Sequence, residues 1–259
     1  MTQTNSTQNP TATRPIALVS GANRGIGFQV ASDLAARGIT VLIGSRNLER
    51  GREAAAQIGE DAVAIQLDVS DADSVAAAAS RIHTEFGRLD ILVNNAGVSF
   101  LGDQNTPLDV RASSGLLTVA PLDVVRQMYE INVFGVIALT QALLPLLRST
   151  EGSRIVTVGS GGGSLNENAD TSNPHRRMFG LYSVSKSALH AVTLAFATAL
   201  EPEGIPVNIV DPGMTATALN DFQGTKSVEQ GAAHIVEVAM RGTDGPTGTF
   251  TSDEGVVAW

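Results

Sequence analysis

The chain has 259 residues, 43% hydrophobic and 17% charged, with a formal net charge of -9 and no cysteine. That length and apolar content suit one large α/β domain or two small ones, and the acidic balance gives no overall electrostatic pull toward nucleic acid or an acidic membrane. Without cysteine there are no disulfides, no thiol catalysis and no thiolate metal ligands.

The opening run MTQTNSTQNPTATR (1–14) is polar and lacks an apolar stretch, so a disordered tail is expected instead of a signal peptide. No apolar run reads as long enough to span a membrane, and a cytoplasmic location is expected. From residue 15 to 259 the pattern is that of a single domain. Strand-like runs fall at 15–20, 39–44, 62–67, 89–94, 154–159 and 206–211, with TGTFTS (247–252) as a seventh. Helical segments at 25–37, 47–58, 70–86, 121–148, 180–200 and 228–241 separate them. Strict alternation predicts a doubly wound Rossmann-type α/β fold, its parallel seven-stranded sheet flanked by helices. Ser70 with Asp73 reads as a capping pair, Gly87 as a helix terminator and Pro121 as a helix start. Residues 99–120 and 161–179 are long connections, where substrate contacts are expected.

Between the first strand and first helix stands SGANRGIG, with Gly21, Asn23, Arg24, Gly25, Ile26 and Gly27. Its spacing is G-x-x-x-G-x-G. Glycines there permit a tight turn and close approach of the backbone to a pyrophosphate, whose charge the helix N-terminus attracts. Further on, GLYSVSK places Tyr182 and Lys186 four positions apart, on one helix face, so that a phenol and an ammonium can reach one group. His83, His175, His190 and His234 are scattered without metal-ligand spacing, so surface or packing roles and no metal are expected.

Taken together, these stretches resemble the classical short-chain dehydrogenase/reductase family over about residues 15 to 259. In LDVS, Asp68 and Val69 match a segment that contacts adenine; Asn95, Ala96 and Gly97 of NNAG match the motif beside the adenosine ribose. Asn132, Ser160, Tyr182 and Lys186 match the catalytic tetrad, and DPGMTAT matches a segment bordering the nicotinamide carboxamide through Pro212, Gly213, Met214, Thr215 and Thr217. The resemblance implies Tyr182 as proton donor and Lys186 as its electrostatic support and a holder of the nicotinamide ribose. Ser160 is implied as donor to the substrate oxygen, and Asn132 as holder of a relay water. At the end of the second strand, Ser45 replaces the acid that binds a ribose diol, and Arg46 and Arg24 can flank a 2′-phosphate, so NADP(H) is expected.

The 22-residue interval from Ser160 to Tyr182 is similar to that of carbonyl-reductase-like members. The expected activity is therefore NADPH-dependent reduction of a ketone or aldehyde. Alternatives are a dehydrogenase of an alcohol, sugar or steroid, a ketoacyl-type reductase, or a non-catalytic NADPH-binding sensor or scaffold. Phe100, Leu101, Met178, Phe179, Met214 and Leu219 can line an apolar substrate site, or simply be buried beneath a loop. The expected partner is a small carbonyl compound, with neither nucleic acid nor membrane. The resemblance also allows a homo-oligomer pairing through 121–148 and 180–200.

Overall fold

Successive residues of a strand point to opposite faces of a sheet, and the first strand shows what that does here. In β1 (Ile16–Ser20), Ala17 and Val19 enter one buried cluster while Ile16 and Leu18 enter another. A computed structural model describes residues 14–103, 106–242 and 245–259. Around β1 stand β2 (Thr40–Ser45), β3 (Ala62–Gln66), β4 (Ile91–Asn94), β5 (Arg154–Val158), β6 (Val207–Val210), β7 (Phe250–Ser252) and β8 (Gly255–Val256). Their order is β3-β2-β1-β4-β5-β6-β7-β8. All pairings are parallel except β7 with β8. Among the described residues the sheet thus has eight strands, not seven; the two-residue β8 is the antiparallel return of a tight turn, too short to read from sequence.

Helices α1 (Gly25–Ala35), α2 (Leu48–Ile58) and α9 (Val228–Ala239) supply residues to one cluster. Helices α3 (Ala72–Phe86), α6 (Gly135–Ser149) and α8 (Leu181–Leu200) supply the other. The long connections are not structureless: α4 (Leu108–Ser114) lies in the first and α7 (Leu165–Ala169) in the second. The cap of α3 also differs from expectation. Asp71, not Ser70, accepts the first-turn N–H groups, from Asp73 and Ser74. Ser70 instead donates both N–H and hydroxyl to Asp68 Oδ1. Gly87 does end α3, in the left-handed region at φ 67.

Pro121 precedes α5 (Leu122–Tyr129), which runs through a π-helical turn (Glu130–Phe134) into α6. This continuous helix, Leu122–Ser149, is long and apolar enough by composition to cross a membrane, which corrects the expectation that no run reaches that length. Its apolar stripe is nevertheless occupied: Leu139, Leu143, Leu146 and Leu147 are buried in the core. Of the expected N-terminal tail, residues 1–13 lie outside the described residues, and Arg14 pairs with Asp61.

Candidate active site

Parallel strands deliver their carboxyl ends to one edge of the sheet, so segments far apart in sequence meet there. The glycine turn follows β1, Arg46 follows β2, Asp68 follows β3, Asn95 follows β4, Ser160 follows β5 and Pro212 follows β6. The strand order reverses direction between β1 and β4, which opens a crevice beside the glycine turn.

Gly21 and Gly25 adopt φ of 67° and 59°, the left-handed region where side chains are strained. A Cβ on Gly27 would stand 2.4 Å from Asn95 Nδ2 and 2.7 Å from Gly21 O. Asn95 Nδ2 donates to Ser20 O at 2.8 Å, while the Asn95 and Ala96 amides donate to Ser20 Oγ at 3.0 Å each. The turn and the NNAG segment are therefore clamped together. No side chain caps the start of α1, and its first turn carries no acid. Unfilled N–H groups with their positive end open to the crevice fit the pyrophosphate of a dinucleotide. Ile26 packs against the core beneath this turn.

Asn132 is buried within the π turn. Its Nδ2 donates to Val98 O at 2.9 Å and to Ser185 Oγ at 3.0 Å, and its Oδ1 accepts the Val98 amide at 2.8 Å. Ser185 in turn donates to Tyr182 O at 2.6 Å, so the asparagine is tied to the helix that carries the tyrosine. A Cβ on Gly97 would lie 3.3 Å from Asn132 Oδ1 and 3.8 Å from Lys186 Nζ, which puts NNAG against the tetrad.

Lys186 Nζ donates to Val158 O at 2.9 Å and sits 5.8 Å from the Tyr182 ring centroid. Burial brings the Lys186 ammonium down to about 8, opposed by the Asp211 carboxylate. The Tyr182 phenol is pushed up to about 12, chiefly by burial; a hydrogen bond with Ser160 opposes the rise and the Asp211 charge adds to it. Sequence logic asks for a phenol below its usual value, but in the protein alone desolvation outweighs the hydrogen bond with Ser160. Ser160 Oγ accepts the Gly162 amide at 3.2 Å.

Other expected residues are placed less simply. Val69 is covered by α6, where a Cβ on Gly135 would meet Val69 O at 2.8 Å. Thr215 is buried, its hydroxyl donating to Pro212 O at 3.0 Å. Gly213 turns at φ 68, its amide donating to Asp211 Oδ1 at 2.9 Å. Thr217 comes beside the glycine turn, its Cγ2 3.7 Å from a Cβ built on Gly25. Ser45 is buried and donates to Asn47 O at 2.7 Å, and Arg46 is exposed. Arg24 and Asn23 share a recess of about 290 Å³ with Arg50, Glu53, Ala54 and Gln57. Arg50 was not singled out from the sequence, although the expected helix 47–58 already places it in the first turn, three residues after the N-cap Asn47. Met178, Met214 and Leu219 are large apolar side chains left exposed, while Phe100 lies under the Arg111 guanidinium at 5.4 Å.

The family model described as short chain dehydrogenase matches residues 15–227. The chain belongs to the short-chain dehydrogenase family. It is therefore an oxidoreductase acting between alcohol and carbonyl groups, in a family that binds a nicotinamide cofactor. A short-chain dehydrogenase of Penicillium roqueforti is 36% identical to this family member over 89% of this chain and 90% of its own. Salutaridine reductase of Papaver somniferum is 30% identical, over 93% of this chain and 95% of its own. Its solved structure superposes with a TM-score of 0.77, covering 93% of this chain and all of that one. The menthone neomenthol reductase structure from Mentha piperita gives a TM-score of 0.72 at 29% identity, over 93% and 99% of the two chains.

Proposed function

We propose that this short-chain dehydrogenase is an NADPH-dependent reductase of ketones or aldehydes with Tyr182 as proton donor. The observation that carries the reading is the pairing of Tyr182 with a buried Lys186 beside Ser160, at the edge where the glycine turn and NNAG also converge.

A reduced nicotinamide, when bound, supplies hydride to the carbonyl carbon. The chain's own part concerns the oxygen, which gains charge as that bond forms. Ser160, its Oγ accepting from Gly162 and its hydroxyl hydrogen-bonded to Tyr182, turns that proton to the substrate oxygen once a carbonyl lies beside the phenol. Tyr182 transfers its phenolic proton to the same oxygen, and its elevated value keeps that proton in place until it is needed. Lys186, cationic below about 8, stabilises the phenolate left behind. Both Nδ2 hydrogens of Asn132 are engaged, so it fixes the Val98 loop to α8 and offers one remaining Oδ1 lone pair to a water.

Preference for NADPH is supported by the absence of an acid at Ser45 and by two guanidiniums, Arg24 and Arg50, lining one recess, with Arg46 beside the same strand end. The ketone-reductase names of the poppy and mint relatives support the carbonyl substrate, and the exposed Met178, Met214 and Leu219 support an apolar one.

The test is oxidation of NADPH, with NADH in parallel, against a panel of apolar ketones and aldehydes. Turnover with NADPH and at least tenfold less with NADH is expected. Equal use of the two would remove the cofactor assignment, and turnover confined to the reverse direction with alcohols would make the protein a dehydrogenase in practice.

A further inference from the structure

His190 occupies α8 one turn beyond Lys186, so 182, 186 and 190 form a single stripe of that helix. It is 3% exposed, and its ring enters the turn that follows β5. Two glycines make that possible: a Cβ on Gly159 would stand 2.8 Å from His190 Nε2, and one on Gly163 would stand 2.8 Å from its Cε1. On its far side the ring packs on Phe250, with centroids 4.4 Å apart and planes at 52°, and Phe250 packs in turn on Trp259 at 5.8 Å. Such packing leaves the imidazole little freedom. Its Nε2 accepts the backbone amide hydrogen of Ser160 at 3.3 Å, and its Nδ1 is buried without a partner.

The Ser160 amide is an awkward donor. The ladder between β5 and β6 ends one residue earlier, where the Gly159 amide donates to Val210 O at 2.8 Å, so no strand is left to accept from Ser160. A part-buried amide without an acceptor would turn toward one, and the side chain on the same residue would turn with it.

We propose that His190 is a positioning residue: by accepting the Ser160 amide hydrogen it fixes the direction from which Ser160 offers its hydroxyl at the site. Accepting at Nε2 requires a neutral ring with its proton on Nδ1. Burial, with the Lys186 charge second, holds the imidazole neutral down to about 3, as acceptance at Nε2 requires. The expected packing role of this histidine is met by its contact with Phe250, and the proposal adds a second role to it. The inference rests on the Ser160 role given under Proposed function.

Two variants and one control test it with the ketone that turns over fastest. His190→Leu keeps much of the volume and deletes the acceptor; His190→Gln returns an acceptor near the Nε2 position. Expected are a kcat lowered about 10- to 100-fold in His190→Leu, a dissociation constant for NADPH within about twofold of wild type, and recovery of most turnover in His190→Gln. Full turnover in His190→Leu, or equal loss in both variants, overturns the proposal. Should His190→Leu not fold, nitrogen-15 NMR of the histidines in the wild-type protein decides the matter: an Nδ1–H tautomer at neutral pH is expected, and an Nε2–H tautomer overturns it. Ser160→Ala separates the two levels of failure. A fully active Ser160→Ala overturns both the site reading and the role of His190, whereas a slow Ser160→Ala beside a fast His190→Leu overturns His190 alone.

Discussion

Lys186 Nζ stands 5.8 Å from the centre of the Tyr182 ring, and its hydrogen bond to Val158 O ties the ammonium to the end of β5. Both side chains are shifted by burial in the sense that disfavours charge, the phenol up to about 12 and the ammonium down to about 8. Each shift has a measurable outcome.

Tyr182→Phe removes the phenolic proton and almost nothing else. Turnover of a ketone is expected to fall by about 10²- to 10⁴-fold, with NADPH affinity nearly unchanged. Single-turnover rates beside fluorescence titration of the cofactor check both halves, and an active phenylalanine variant would remove Tyr182 from the chemistry.

Lys186 links pH to both stability and rate. Its folded value lies below the ordinary 10.5, so the unfolded chain binds more protons between about 8 and 10.5, and stability rises with pH across that window. Below about 8 the full burial penalty, about 3 kcal/mol, is present. Lys186→Met is therefore expected to be inactive, yet about 1–2 kcal/mol more stable than wild type at pH 7, after the lost bond to Val158 is subtracted. The advantage should shrink between pH 8 and 10, which urea melts at several pH values measure. In the wild type, kcat/KM for reduction should decline above about pH 8 as the supporting charge disappears.

Gly27→Ala pushes a methyl group into Asn95 and the Gly21 carbonyl, at 2.4 and 2.7 Å. Because the obstacle includes backbone, a loss of about 1–3 kcal/mol is expected, along with weakened nicotinamide cofactor binding. Gly38→Ala is the comparison: its φ of 82° is strained but nothing lies within 4 Å of the added carbon. It should cost only about 1 kcal/mol and leave cofactor affinity alone. Thermal unfolding and cofactor titration of both proteins check the contrast.

Cofactor choice separates the arginines. Arg24→Ala and Arg50→Ala are each expected to lower the NADPH-to-NADH preference about tenfold or more, because both line the recess beside the glycine turn. Arg46→Asp should lower it further by reversing charge next to Ser45. Steady-state kinetics with each cofactor decide it; an unchanged ratio in all three variants places a 2′-phosphate elsewhere.

The doubly wound parallel sheet was legible because it depends on repeated signals, apolar runs that must be buried on both faces and glycines where backbone comes close, whereas the tetrad was named only through a family resemblance. In the fold Asn132 is tied through Ser185 to the helix that carries Tyr182 and Lys186, and Ser160 follows β5. What escaped depended on local competition. Ser70 and Asp71 are both good caps, and only the fold shows that Ser70 is engaged by Asp68. Residues 121–148 read as one regular helix, because a π turn leaves no mark in a hydrophobic pattern. His190 could have been found from its spacing of four from Lys186, but its partner is a backbone amide, and no sequence pattern names an acceptor for one.

The π turn has one more consequence. A π-helical turn holds one residue more than the α-helical turn it replaces, and one residue of α-helix corresponds to about 100° of rotation. Deleting a single residue between Met128 and Phe134 would let α5 and α6 fuse into one regular rod, with every backbone pair in ordinary register. The same deletion would swing Asn132 away from Val98 and Ser185 and cut the tie between the NNAG loop and the tyrosine helix. A shorter chain, smoother in its hydrogen bonding, would thus be a poorer enzyme: here the irregular count of residues, as much as their identity, sets the site.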